Sequence, residues 1–553
     1  MQQADIIVEN ARVLTLDPGR PRATAVAIQG GKILAIGDTE AVAGMASTAT
    51  KRIDAGGATV LPGFIDSHIH IFPGGAQIKS LSLVGLNGFD EIAAAVRKRA
   101  AQEPDTKILI AEQAGYFMFG DNEPITRQIL DRVLPDRPLA VFASDHHTMW
   151  ANTAALKAAG ILHGREMPPG NEVVMGPDGL ATGELREFEG FAPITDLTPT
   201  GGREMLGLQG SEPGVPPTAA QRAIDRGIIS DGLAYCASLG ITSFHNMDGN
   251  FYQLELLEEI DRAGGLTVRT RMPFRMMPDR PLSDLEKAVE MRSRWNSDVL
   301  RADFVKIFMD GVIESTTAHM FEDYVGMPGV RGSSYFDQAA FDAICIEADR
   351  LGLQIAVHAI GDEAVNITLN GYEAAQRANG KRDSRHRIEH IEMLLPADLP
   401  RFAKLGVIAS MQPTHAPGGY YPPEPILSMV GHQRMMTGYA WQSIRETGAR
   451  LVFASDWPVA PLDPLLGIKT AMVREPVFDG APDESQSLAD SIAGFTADGA
   501  YTEFMEDRKG VLKQGALADL VILSGDIERT RPQDVDALKV QATICAGRIT
   551  YER

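Results

Sequence analysis

The residues best suited to chemistry close short apolar runs. One run ends Gly63-Phe64-Ile65-Asp66-Ser67-His68-Ile69-His70. On an extended strand, residues two apart share a side, so the imidazoles of His68 and His70 face one point while Ile69 turns away. Neutral imidazole is the commonest metal ligand, so a bound cation is one reading of this pair; two unrelated core or surface histidines are the other. A second run, Phe304-Val305-Lys306-Ile307-Phe308, buries a lysine. An ammonium group there is costly unless it is paired or neutralised. Either Asp310 pairs with it, or carbon dioxide converts Lys306 to N6-carboxylysine, a carboxylate able to bridge two cations. Three further runs end at His358, at Glu389-His390 and at Ser455-Asp456-Trp457. Each residue alone is more simply a hydrogen-bonded core group. Four histidines, a lysine and an aspartate, each at a strand end read from hydrophobic pattern, point instead to one common rim.

Such a rim needs strands to build it. Short β-branched segments occur at Val60–Ile65, Gly240–Phe244, Leu266–Met272, Phe304–Phe308, Leu353–Val357, Arg387–Ile391, Gly406–Met411 and Arg450–Ala454. Helical stretches such as Asp337–Leu351 and Glu363–Asn379 lie between most of them. Eight strands in this alternation predict an α/β fold, a closed parallel (β/α)8 TIM barrel over residues 59–506, whose reactive groups sit at the strand carboxyl ends. The interval 71–239 is too long for one connection and predicts an inserted subdomain after barrel strand one, rich in glycine and proline near 168–217. Both chain ends alternate apolar and polar residues between glycine turns. Neither buries enough alone, so 1–58 and 507–553 are expected to pair as one small β-sandwich.

Composition narrows the partners. The 553 residues carry 52 Lys+Arg against 73 Asp+Glu, a net charge of -21, which argues against nucleic acid or an anionic membrane surface. The amino terminus lacks the pattern of a secretory signal, and no apolar stretch is long enough to span a bilayer. The three cysteines, Cys236, Cys345 and Cys545, are remote from one another and suit reduced core positions in a cytoplasmic protein. A small-molecule substrate and a homo-oligomer, a dimer, are the expected partners. His147 (with its neighbour His146), Trp150, His245, His415 and Trp457 are candidate substrate contacts, with loop capping or core packing as the alternative. Tyr116–Phe119 and the segment around Tyr420, Tyr421, Met429, Met435 and Met436 are apolar enough to line a pocket, or to do no more than pack.

Taken in order, these motifs resemble the amidohydrolase superfamily, in the branch known as amidohydrolase family 3, of the YtcJ-like type. The resemblance runs through Leu61-Pro62-Gly63-Phe64-Ile65-Asp66-Ser67-His68-Ile69-His70, Lys306-Ile307-Phe308-Met309-Asp310-Gly311 and His358-Ala359-Ile360-Gly361-Asp362. It continues through Arg387-Ile388-Glu389-His390, Ser410-Met411-Gln412-Pro413, Ser455-Asp456-Trp457-Pro458-Val459 and Gly515-Ala516-Leu517-Ala518-Asp519-Leu520, and so spans almost the whole chain. It implies that His68, His70 and Asp456 hold one metal, that His358 and His390 hold a second, and that carbamylated Lys306 bridges them. The insertion would be the substrate-covering subdomain. Two departures bear on specificity: His146 stands where the family has glycine, and His245-Asn246 replaces the more usual His-Asp.

The implied chemistry is hydrolysis of an amide-type, non-peptide C–N bond. Two divalent cations lower the pKa of a bridging water from about 16 towards about 7 and polarise the carbonyl. Asp456 takes the proton as general base and passes it to the leaving nitrogen. Zinc suits these donors first, with manganese, iron, cobalt or nickel as alternatives. The same centre acting on an ester, lactone, carbamate or phosphotriester is the nearer rival. A non-catalytic barrel scaffold is the remote one, since it predicts missing ligands and none is missing.

Overall fold

The computed structural model describes residues 2–120, 123–143, 147–167 and 171–553. It divides into two compact units, Met1–Ile71 with Leu233–Arg553, and Phe72–Gly232. In the first, eight parallel strands follow one another around a sheet in chain order: β1 Phe64–Ile69, β2 Ile241–Asn246, β3 Arg269–Arg275, β4 Leu300–Phe308, β5 Gln354–Ala359, β6 Arg387–His390, β7 Ile408–Met411 and β8 Leu451–Phe453. This is a TIM-barrel α/β fold. The ladder from β1 to β8 is continuous, and β8 returns to β1 through a parallel bridge between Ile69 and Trp457. At that closing seam the Asp456 N–H donates to the His68 carbonyl at 2.9 Å, and the His70 N–H to that of Trp457 at 2.8 Å. Barrel closure therefore sets where three of the predicted ligands stand.

Helices pack outside the strands. Helix Gln338–Arg350 starts at Asp337, whose carboxylate accepts from the Ala340 N–H, and helix Asp362–Asn379 ends at Gly380. Both lie within a residue of the expected spans. One expected strand does not survive. Val60–Ile65 divides at Gly63: Thr59–Pro62 pairs antiparallel with Leu520–Leu523, while Phe64–Ile69 enters the barrel. Both halves are buried, so the apolar run gives no sign of the break. The glycine does, because a Cβ there would lie 2.2 Å from the Thr242 side chain.

The terminal segments build two further sheets. One runs Lys32–Gly37, Ala25–Gln29, Ile6–Glu9, Lys51–Asp54. The other runs Arg548–Glu552, Val540–Cys545, Leu520–Leu523, Thr59–Pro62, Arg12–Leu14, Arg22–Ala23. Val8, Val26 and Ile28 of the first share a core with Val13, Val60, Leu520 and Ile544 of the second.

The Phe72–Gly232 unit is built on a mixed six-stranded sheet whose central strands are Thr148–Ala151, Leu139–Ala143 and Leu109–Ala114. Alternation sends Trp150 into one core and Met149 into another, so both faces of the sheet are covered. Among the described residues no helix is long and apolar enough to cross a membrane, and the three cysteines are free and buried.

Candidate metal centre

His68 and His70 leave β1 on the same side, with ring centroids 5.5 Å apart. Each ring is held by its inner nitrogen. His68 Nδ1 lies 2.8 Å from Glu389 Oε2, and His70 Nδ1 lies 2.9 Å from Asp248 Oδ1. A carboxylate can only accept, so the proton of a neutral ring sits on Nδ1 and the lone pair on Nε2. Both Nε2 atoms converge on Asp456 Oδ1, at 3.2 and 3.3 Å. That oxygen is buried and, beyond the two imidazoles, has no hydrogen-bond partner among the described residues. With both rings neutral, the two imidazole lone pairs and the carboxylate oxygen form a donor set for a cation. With none bound, and against burial, the hydrogen bonds to Asp248 and Asp456 raise the His70 pKa to about 9, so a proton takes that place.

Asp456 owes its place to backbone as well as side chain. Its φ is +61°, in the left-handed region that costs a non-glycine residue free energy and is found concentrated at functional sites. Its N–H is fixed to β1 as described. Burial by itself would raise the Asp456 pKa, but the neighbouring imidazoles of His68 and His70 hold it well below the usual carboxylate range. Beneath it, Asp66 ties β1 to the end of β8 by accepting from the His68 and Ser455 N–H groups, each at 3.1 Å.

A second donor triple shares Asp456. His390, itself at φ +75°, places Nδ1 3.9 Å from Asp456 Oδ2, and His415 places Nε2 3.8 Å from the same oxygen. The His390 and His415 rings are parallel within 4°, 6.0 Å apart. The sequence reading gives His415 a substrate role; here it stands among the metal-type donors. It follows β7 within a short 3-10 turn, Pro413–His415, and its only sequence signal is a histidine just past a strand end. His358 lies in the same group, its ring 4.5 Å from that of His390, but its Nε2 is 3.0 Å from the Gly311 carbonyl and 3.8 Å from Asp310 Oδ1.

Lys306 is fully buried in β4, and its Nζ makes no hydrogen bond among the described residues. Burial lowers its pKa to about 7, against the opposing charges of Glu389 and Asp456. Its own charge in turn depresses His68 and His390, after burial. The alternative pairing with Asp310 is not formed. That carboxylate accepts instead from the backbone N–H groups of His319, Ile360 and Gly361 at 2.8, 3.0 and 2.8 Å. It clamps the loops after β4 and β5.

The other predicted contacts divide. Trp457 is part of the barrel seam and lies 5.7 Å from the Tyr235 ring. His245 is sealed within the barrel between Arg387, at 2.8 Å, and Glu503, at 3.5 Å, and burial lowers its pKa to about 4. In the Phe72–Gly232 unit, His147 pairs with Glu187 at 3.0 Å, and Trp150 is core, with Tyr116 against its edge. Met118 and Phe119 join that core, whereas Phe117 is exposed. His146 lies outside the described residues. Three supporting groups escaped the sequence reading: Asp248, Gln412, whose Oε1 is 2.9 Å from His390 Nδ1, and Arg387, which grips Glu389 and the Ser67 carbonyl. Arg387, Glu389 and Gln412 fall within recognised motifs, but what each holds depends on a residue far away in the chain.

A closed parallel barrel with this rim of donors defines a metal-dependent hydrolase of the TIM-barrel type. The amidohydrolase family model matches residues 51–551, and the chain belongs to that family as an amidohydrolase. It is 29% identical to the putative amidohydrolase YtcJ of Bacillus subtilis over 96% of both chains. It is 26% identical to the N-substituted formamide deformylase of Arthrobacter pascens over 100% of this chain and 99% of the relative. An uncharacterised metal-dependent hydrolase from Pyrococcus horikoshii shares its fold, with a TM-score of 0.72 and 21% identity over 96% of this chain and 98% of the other.

Proposed function

We propose that this amidohydrolase cleaves the C–N bond of a small, amide-type, non-peptide substrate. The observation that carries the reading is a single carboxylate, Asp456, shared by two donor triples, His68 and His70 on one side and His390 and His415 on the other. Two divalent cations, zinc first, are the cofactors this donor set fits. His358 is the further imidazole beside the second position, and carboxylated Lys306 the bridge between the two. Lys306 Nζ, which has no hydrogen-bond partner among the described residues, supports this assignment, because buried polar atoms without partners are rare unless something else fills the site. When bound, such cations acidify water and polarise a carbonyl.

This chain's residues supply the rest. Asp456 stays ionised at neutral pH and stands between the two imidazole pairs, placed to accept a proton from water and return it to the leaving nitrogen. Glu389, Asp248 and Gln412 keep the imidazoles oriented and so hold the site in a reactive geometry. The terminal sheets we read as one β-sandwich domain, supported by their common core.

The relative named as an N-substituted formamide deformylase makes N-substituted formamides the first substrates to try. Metal-loaded enzyme should release amine from some member of a formamide and amide panel, and chelation should abolish that release. Turnover of esters, lactones or phosphotriesters with none of any amide, at full metal content, would refute the C–N assignment.

A further inference from the structure

The amino-terminal end of the barrel, opposite the rim that carries His68 and His70, holds a cavity of about 280 Å³. Its walls come from the first residues of consecutive strands: Arg271 of β3, Arg301 and Asp303 of β4, and Gln354 of β5. Arg292 and Arg382 close the sides, and Phe504 stands at the lip, 40% exposed and at φ +60°. Four arginines and two aspartates, Asp303 and Asp383, line it, with the buried carboxylates of Asp349 and Glu503 behind them: Arg382 lies 2.6 Å from Asp349 and Arg301 3.6 Å from Glu503.

The arginines are held but not used up. Arg271 is 2% exposed; its Nε donates to Asp303 at 2.6 Å and its Nη1 to Gln354 at 2.7 Å. Arg382 donates through Nε to Asp349 at 2.6 Å and through Nη2 to the Leu353 carbonyl at 3.0 Å. Arg292 donates through Nη1 to the Leu351 and Gly352 carbonyls, at 3.1 and 3.3 Å. A guanidinium carries five N–H groups, so each of these anchored forks keeps donors to spare. Asp383 is drawn away, because both its oxygens accept from Arg385, which also grips Glu506. Salt bridging inside the protein thus orients Arg271, Arg301 and Arg382 and offsets much of their charge, while Arg292 is held by backbone carbonyls and keeps its charge at the cavity.

We propose that this cavity binds the phosphate group of a small molecule, at a site separate from the reacting centre. Phosphate is preferred over a single carboxylate because its tetrahedral oxygens can take forks from several arginines at once, whereas a planar carboxylate engages fewer. The volume suits a group of that size with a small attachment, and Phe504 offers a flat face at the opening. The site does not depend on which bond the metal centre cleaves.

Calorimetric titration of metal-loaded enzyme with inorganic phosphate tests it, in the wild type and in Arg292→Ser and Arg382→Ser variants. One equivalent of phosphate should bind, each substitution should weaken binding by about tenfold or more, and both variants should keep wild-type metal content and kcat. Arg292→Lys, which keeps the charge and loses the fork, should fall between. Phosphate should also raise the Tm of the wild type and not that of the Arg292→Ser enzyme, a readout available if either variant is destabilised. Absence of binding up to about 20 mM, an affinity too weak to matter, would overturn the proposal. So would binding that survives both substitutions, which would place the anion at the metal centre.

Discussion

Glu389 Oε2 lies 2.8 Å from His68 Nδ1 while Glu389 Oε1 accepts from Arg387 Nε at 2.5 Å, so one buried carboxylate fixes both an arginine and the tautomer of a metal-type imidazole. Arg387 is itself anchored to the Ser67 carbonyl, one residue before His68. The orientation of the ring is therefore decided from β6, more than 300 residues away in the chain.

Replacing that carboxylate should be costly. Glu389→Gln can present an N–H to His68 Nδ1 and favour the wrong tautomer, and it leaves Arg387 without its counter-charge. Metal affinity should fall about 10–100-fold. Titration with zinc and a competing chelator measures it; unchanged affinity would show that Glu389 does not set the ring.

Asp456→Asn should keep the fold and much of the metal, since imidazoles on both sides remain. Turnover should drop by about 10²–10⁴ because the proton acceptor is gone. A variant with near-native kcat would remove Asp456 from that role.

Lys306 yields a pH prediction. Its pKa is lowered from the ordinary lysine value to about 7. The amine is thus mostly charged below that pH and mostly neutral above it, and only the neutral amine can take up carbon dioxide. Reconstitution of metal-free enzyme with metal and bicarbonate should accelerate as pH rises through about 7, reading metal content and the mass at Lys306. Lys306→Ala should lose the added mass and bind at least one metal equivalent fewer. Full binding of two equivalents by Lys306→Ala would discard the bridge.

Gly63 gives a stability prediction independent of chemistry. The Cβ of Gly63→Ala would lie 2.2 Å from Thr242, so β1 or β2 must shift. Overpacking of this kind costs about 1–3 kcal/mol, seen as a lower Tm. A second change, Thr242→Ala, should recover part of the loss if the contact is the cause.

Much was legible before any coordinates. The strand-and-helix alternation marked seven of the barrel strands and only the start of β1, because each of the seven buries an apolar run that periodicity reveals. Position at strand ends singled out His68, His70, Lys306, His358, His390 and Asp456, because the carboxyl end of a barrel strand is a defined place in space as well as in sequence. The apolar run around Gly63 concealed a change of sheet, since a strand buried on both faces reads alike in either.

Residue types and their spacing along single strands were determined by the sequence alone: which side chains could donate, and that His68 and His70 share a side. Tertiary structure decided which of them meet. That Asp456 serves two imidazole pairs, that His415 joins His390, that Asp248 and Glu389 pin the rings, and that Asp310 clamps loops rather than pairing with Lys306 all follow from closure of the barrel between β8 and β1 and from the loops it brings together. The physical reason is that a donor's neighbours across a barrel are set by strand register and closure, long-range hydrogen-bonded relations that leave no local trace in the order of residues.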